Sequence, residues 1–209
     1  MMDRDRIRES RTIAELCDTQ IGLVVRPGEY RETGVPVVGA RDIVGHRVTR
    51  VPERHVVPDE RRVGRDYRLE AGDVLLTRSG TVGRVALVTE TEKGWLHGPH
   101  LIRLRVRADA ELDPEYLATY LSASAAQERF QRVATGSAIQ HISMKMLGQL
   151  PVRLPPLAEQ HEIGRTLAAL DEKVRAHEEV VRATGALRST LADLLTSEDM
   201  PDDGIAFFR

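Results

Sequence analysis

From Leu157 onward, apolar side chains recur at the spacing of one helix face. Ile163, Leu167, Leu170, Val174, His177 and Val181 step by 4, 3, 4, 3 and 4, and after a shift of phase Val180, Thr184, Leu187, Leu191 and Leu194 carry the stripe on. Pro155-Pro156 fixes the start, because no helix runs through a diproline. Residues 158–196 taken as one helix are about 58 Å long at 1.5 Å per residue. A stripe so long and narrow cannot be covered by a compact body of the size that remains, so it requires another helix along its length. Gly185 weakens the helix by roughly 1 kcal/mol and marks the place for a kink. His177 is polar, as an inter-helix seam that needs register would have it, and equally as a tolerated histidine would be. Beyond Ser197 the acidic stretch with Pro201 and Gly204 reads as a frayed tail.

The chain has 209 residues and a net charge of -2, which by itself argues against a polycationic nucleic-acid binder. The average conceals an asymmetry. Residues 157–209 hold 11 acids and 6 bases, and residues 1–156 hold 24 bases and 21 acids. Residues 41–68 carry eight arginines against five acids. Arginine outnumbers lysine 27 to 3; composition bias alone produces such a skew, and guanidinium forks also suit phosphates and guanine edges. The single cysteine, Cys17, excludes an internal disulfide and a cysteine-based zinc site. No apolar run reaches the length of a membrane span, and the N-terminus has no signal-peptide core, so a cytoplasmic protein is expected.

The body reads as mixed α/β. Val35–Gly39, Asp73–Thr77 and Arg84–Val88 are short apolar strands bounded by glycine. Leu101–Arg107 alternates apolar residues with arginine, as a strand with one buried and one basic face, or an ordinary exposed face, would. Asp113-Pro114-Glu115 opens a helix with Asp as N-cap and Pro in the first turn, and the pattern carries to about Arg132. A short helix or turn is expected around Ser143–Leu147, before an edge strand at Leu150–Leu154 that Pro151 keeps at a sheet margin.

Catalytic signatures are missing. The sequence contains no Gly-x-Gly-x-x-Gly turn, no phosphate-binding P-loop, no Asn/Asp-Pro-Pro-aromatic tetrapeptide of amino-methyltransferases and no Gly-x-Ser-x-Gly elbow. Asp59, Glu90, Glu92 and Lys93 supply acids and a lysine, but not in a nuclease-like alternation. His97-Gly98-Pro99-His100 cannot form a helix that would place both imidazoles on one face, and reads as a polar loop. Catalytic residues, metal ligands and cofactors are therefore not assigned.

Two segments concentrate hydrogen-bonding groups. Arg78-Ser79-Gly80-Thr81-Val82-Gly83 is a tight turn between two strands, where backbone N–H groups, hydroxyls and a guanidinium are exposed together. Such a tip suits phosphate or groove contact, and equally an ordinary hairpin. Thr135–Lys145 packs hydroxyls, an amide, an imidazole and a lysine around Gly136, with Ile139 and Ile142 as apolar plugs.

Four stretches, in this order, resemble half of the DNA-specificity subunit of type I restriction–modification enzymes. They are Gly72-Asp73-Val74-Leu75-Leu76-Thr77-Arg78-Ser79-Gly80 with Val82-Gly83 and Ala86–Val88; Asp113-Pro114-Glu115-Tyr116-Leu117; Thr135-Gly136-Ser137-Ala138 with Ile142-Ser143; and Leu150-Pro151-Val152 with Leu154-Pro155-Pro156-Leu157-Ala158-Glu159-Gln160 and Ile163. The Pro-Pro-Leu-x-Glu-Gln entry into a long helix is the most specific. The resemblance implies an α/β (α+β) target-recognition domain with a twisted mixed sheet and small helices over 1–156, a long coiled-coil-like spacer and dimerisation helix over 157–197, and a flexible acidic tail over 198–209.

It further implies a non-catalytic protein that directs an adenine-N6 methyltransferase to its target. The expected partners are double-stranded DNA, a modification subunit, a restriction subunit, and a second half. No second copy of the stretches occurs in the sequence, so the other half is either another copy of the chain, paired through the long helix and favouring a palindromic split site, or a different half-subunit. A separately encoded specificity domain of a methyltransferase chain, or a scaffold that does not read DNA, is the alternative. The DNA-contact candidates are Arg41, Arg47, Arg50, Arg54, Arg78, Ser79, Thr81, Thr135, Ser137, Gln140, His141 and Lys145. The helix candidates are Ile163, Leu167, Leu170, Val174, Val181, Leu187, Leu191 and Leu194.

Overall fold

A computed structural model describes residues 10–49, 51–58, 67–134 and 141–196. The chain divides into two units, Met1–Ala168 and Ala169–Arg209. The first unit is built on a four-stranded antiparallel sheet, in the order β2 (Cys17–Ile21), β10 (Leu101–Val106), β7 (Val74–Thr77), β8 (Val85–Leu87). Smaller sheets surround it. β3 (Val35–Val38) lies between β6 (His55–Val56), antiparallel, and β9 (Leu96–His97), parallel. β4 (Ile43–Val44) and β5 (Arg47–Val48) form a hairpin. β1 (Ser10–Thr12) pairs with β11 (Pro151–Arg153), the margin position that Pro151 demands.

The run Val74-Leu75-Leu76-Thr77 is buried at every residue because β7 is covered on both faces. Val74, Leu76, Ile102 and Leu104 turn to one side and pack against Ile13 and Leu16 of α1 (Ile13–Leu16) and against Leu117, Leu121 and Phe130. Leu75, Ala86 and Leu101 turn to the other side, toward Val38, Ile43 and Leu69. Antiparallel sheets often leave one face wet; here the second layer makes the strand read as continuously apolar. Gly22, just after β2, lies against the backbone that follows β9, where a Cβ would stand 2.1 Å from the Gly98 carbonyl oxygen, so only glycine fits.

The second layer also corrects the expected basic face of Leu101–Arg107. Leu101, Arg103 and Arg105 do share a face, but Arg103 is only 6% exposed. Arg105 is spent on Asp73, whose carboxylate accepts from Nε and Nη2 at 2.7 Å each, and Arg107 pairs with Asp18 at 3.0 Å. The arginines of β10 are structural.

The helix opened by Asp113 begins as expected. Asp113 Oδ1 accepts the Tyr116 N–H at 2.8 Å and Pro114 occupies the first turn. It stops earlier than expected. α2 (Pro114–Ser122) ends where Ala123 is extended, and α3 (Ser124–Ala134) starts afresh. Ser122 turns its hydroxyl back to the Ala118 carbonyl at 2.8 Å, and Gln127 caps the Leu121 carbonyl at 2.7 Å. The break lets Leu121 and Phe130 enter the same core. α4 (Met144–Gly148) is the short expected helix, capped by Ser143.

α5 (Leu157–Thr196) follows the diproline. Its first turns belong to the first unit. Gln160 is fully buried there, and Gly164 lies so close to α2 that a Cβ would meet Tyr116 N at 3.2 Å and Glu115 Cβ at 3.3 Å. In the second unit the helix runs through Gly185 without the expected break. Leu170, Val174, Val181, Leu187, Leu191 and Leu194 are all exposed, Leu170 by 50% and Val181 by 71%.

Candidate nucleic-acid interface

The turn between β7 and β8 is held from inside. The Thr77 hydroxyl donates to the Thr81 carbonyl and accepts the Arg84 N–H at 2.8 Å. Gly83 N–H returns to the Thr77 carbonyl at 3.0 Å, and Gly80 and Gly83 take φ values of 81° and 94°, a left-handed conformation that glycine adopts at no steric cost. The Gln127 amide donates to the Gly83 carbonyl at 2.8 Å, tying the turn to α3. Thr81 is left exposed at the tip.

Residues 78 and 79 continue the line of β7 between two further segments. Arg78 N–H donates to the His100 carbonyl at 2.9 Å on one side. On the other, Ile142 N–H donates to the Arg78 carbonyl at 2.8 Å, and Ser79 pairs with His141 in an antiparallel bridge. Ser79 Oγ lies 2.7 Å from His100 Nδ1. Lys145 is exposed in the first turn of α4, four residues after His141 in sequence. The structure thus brings Arg78, Ser79, Thr81 and His141 together, from segments that the sequence keeps apart.

The remaining candidates divide. Arg41 is exposed in a single 3-10 turn, Ala40–Asp42, and Arg47 is half-buried on β5. Their hairpin is joined to the β7–β8 turn by Arg84, whose guanidinium donates to the Ile43 carbonyl at 3.3 Å. A cleft of about 410 Å³ lies there, lined by Val44, Gly45, His46, Gly83, Arg84 and Gln127 among others. Arg54 sits over the Tyr30 ring, 5.2 Å from its centre, a cation–π contact within the body. Arg50, Thr135, Ser137 and Gln140 lie outside the described residues.

Two exposed residues at this surface, His100 and His46, are not among the DNA-contact candidates of the sequence. His100 was read as a loop residue; its signal was its place one residue before the strand that pairs with β7. His46 takes φ 65° in the two-residue β4–β5 turn with Gly45 at 55°, so both central residues have the positive φ that such hairpins require. Its signal is Gly45-His46 between the short runs Ile43-Val44 and Arg47-Val48. His97, by contrast, is fully buried on β9. Burial pushes its imidazole down to about 4, so it stays neutral at physiological pH and is no cationic contact. Burial likewise pushes the Cys17 thiol up to about 12, which removes it as a nucleophile. Among the described residues no group of three acids, histidines or cysteines is placed to hold a metal, and no helix is long and apolar enough to cross a membrane.

The type I restriction modification DNA specificity domain family matches residues 8–181, and the chain belongs to that family. It is 26% identical over 183 residues to a putative type I restriction enzyme MjaX specificity subunit of Methanocaldococcus jannaschii, covering 75% of this chain and 42% of that protein. It is 30% identical over 161 residues to the type I restriction enzyme EcoKI specificity subunit of Escherichia coli K12, covering 74% of this chain and 34% of the relative. Among solved structures, the type I restriction-modification S subunit from M. genitalium superposes with a TM-score of 0.65 at 21% identity, over 95% of this chain and 48% of that one. The HsdS subunit from Thermoanaerobacter tengcongensis gives 0.62 at 22% identity, over 85% and 41%. The chain therefore spans less than half the length of these relatives.

Proposed function

We propose that this chain is the DNA-reading half of a type I specificity subunit: it selects a duplex sequence and directs an adenine-N6 methyltransferase to it, with no chemistry of its own. The observation that carries the reading is the Arg78–Thr81 turn, clamped between His100 and His141 and presenting guanidinium, hydroxyl and imidazole groups at the rim of a body whose family is DNA specificity. Residues 1–156 form the recognition domain, 157–197 the spacer and dimerisation helix, and 198–209 an acidic tail. Arg41, Arg47, Arg50, Thr135, Ser137, Gln140, His141 and Lys145 extend the contact surface, and Arg54 is its least favoured member because Tyr30 already holds it.

The exposed stripe of α5 supports pairing with a second helix. Nine large aliphatic residues from Leu167 to Leu195 are more than a third exposed, which a solvated helix does not sustain. A second copy of the chain supplies that helix, giving a twofold assembly with two reading bodies and a surface for modification and restriction subunits.

The test is duplex binding by the purified chain as salt is raised. Phosphate contacts give log-affinity that falls linearly with log salt, by about 0.9 per phosphate neutralised. A chain that binds no duplex from a randomised pool at low salt would instead be a scaffold, and the reading would be wrong.

A further inference from the structure

We infer that Ser79 and His100 act as one reading unit, and that His100 sets base preference at a single position of the target. This rests on the DNA-reading role proposed above and names residues within it. The geometry is specific. The backbones of residues 78 and 100 are locked together by the Arg78 N–H to His100 carbonyl bond at 2.9 Å, an extension of the β7–β10 register in which Leu101 faces Thr77. Ser79 Oγ then lies 2.7 Å from His100 Nδ1, and the opposite side of Ser79 is fixed by its bridge to His141. Ser79 is half-buried and His100 is exposed, so the pair presents one edge outward.

A free serine hydroxyl rotates to meet any base edge, as donor or acceptor. Bonded to an imidazole it loses one of those roles. With the ring proton on Nε2, Nδ1 accepts the Ser79 proton; Ser79 then offers lone pairs and Nε2–H offers a proton. With the ring proton on Nδ1, the roles exchange: Ser79 keeps its proton to donate and Nε2 accepts. In either tautomer of the neutral ring, the pair presents one donor and one acceptor. Adenine shows one of each in the major groove, its N6 amino group and N7; guanine shows two acceptors, O6 and N7. Guanine would leave the acceptor of the pair facing an acceptor. The pair therefore favours adenine over guanine where it meets a base.

The experiment is selection from a randomised duplex library by the full chain, followed by competition titrations of duplexes differing at one position. It is run at pH 8. The variants are Ser79→Ala, His100→Phe and the double change. Phenylalanine keeps a flat ring at this exposed position while deleting both nitrogens; thermal unfolding checks that each variant folds.

Wild type is expected to prefer adenine over guanine at one position by roughly tenfold or more. Each single variant loses that preference to within about twofold at that position only, with the salt slope unchanged. The double variant loses no more than either single change, because the two residues act together. The inference is overturned if folded variants keep the preference, or if they lose affinity evenly for every sequence, as a merely structural role would produce. Wild type that selects a sequence but shows no adenine preference altered by these changes overturns this inference alone. Wild type that binds no duplex overturns the DNA-reading role, and this inference with it.

Discussion

Replacing Gln160 with alanine is expected to destabilise the first unit by about 2–4 kcal/mol, although the residue belongs to no reading surface. Its side chain is 0% exposed and makes three hydrogen bonds: Oε1 accepts the Asp113 N–H at 2.9 Å, and Nε2 donates to the Glu111 carbonyl at 3.0 Å and the Pro155 carbonyl at 2.8 Å. One amide thus holds the N-cap of α2, the strand-to-helix connection before it and the diproline in one place. Truncation leaves a buried donor and two buried acceptors, each worth about 1–3 kcal/mol when unsatisfied. A water admitted to the vacated space re-pairs some of these groups, which brings the total down to about 2–4 kcal/mol. For a chain of this size the midpoint of thermal unfolding falls by roughly 5–15 °C. Urea unfolding followed by circular dichroism measures it, with Gln160→Glu and Glu159→Ala as controls. Glutamate keeps the acceptor for Asp113 but sets oxygen against two carbonyls, so it should be no better than alanine. Glu159 is exposed, and its removal should cost less than about 0.5 kcal/mol. If Gln160→Ala unfolds within about 0.5 kcal/mol of wild type at unchanged m-value, the motif is not a structural latch and the reasoning fails.

Asp73→Asn is expected to cost about 2–3 kcal/mol, because Asp73 is 1% exposed and receives both Arg105 nitrogens and the Glu70 N–H; Glu70→Gln, which touches the same arginine from an exposed position, should cost under about 1 kcal/mol in the same urea titration. His97 gives a pH signature. Its folded value of about 4 lies below the ordinary 6.5, so the unfolded chain binds the extra proton between those limits. Its contribution to stability is complete above about pH 6.5 and is lost as pH falls toward 4, on the order of 3 kcal/mol in all. His97→Phe should flatten the stability profile across that window, and equal slopes for the two proteins would reject the assignment. Leu167→Asp with Leu170→Asp should make the chain monomeric in sedimentation and weaken duplex binding, and an unchanged dimer would dismiss the pairing role of α5.

How much was legible in the sequence follows from how local each interaction is. Asp113-Pro114 announced a helix start because an N-cap acts within one turn. The diproline announced the start of α5, and the glycines at 80 and 83 announced a turn, for the same reason. The end of α2 is not legible because its cause lies partly in the Ser122 hydroxyl, which turns back to a carbonyl four residues earlier, and partly in Phe130, whose burial needs a change of direction. The arginines of β10 were misjudged because alternation reports which side chains share a face, and not what covers that face. A second layer spanning β3 to β9 is a tertiary fact.

Asp73, Asp113 and Gln160, from three of the stretches that carry the family likeness, hold the frame, whereas Arg78 and Ser79 of the first stretch lie in the candidate interface. Asp73 anchors Arg105, Asp113 caps α2, and Gln160 latches the start of α5 to the segment that leads into α2. None of them faces the rim where Ser79, His100 and His141 meet. That separation has a consequence for engineering. The frame fixes the backbone of residues 78, 100 and 142 through main-chain hydrogen bonds, which are indifferent to the side chains they carry. Side chains at 79, 100 and 141 can therefore change without disturbing the register. Substitutions there are expected to alter what is read while stability stays within about 0.5 kcal/mol, whereas substitutions at 73, 113 or 160 are expected to do the reverse.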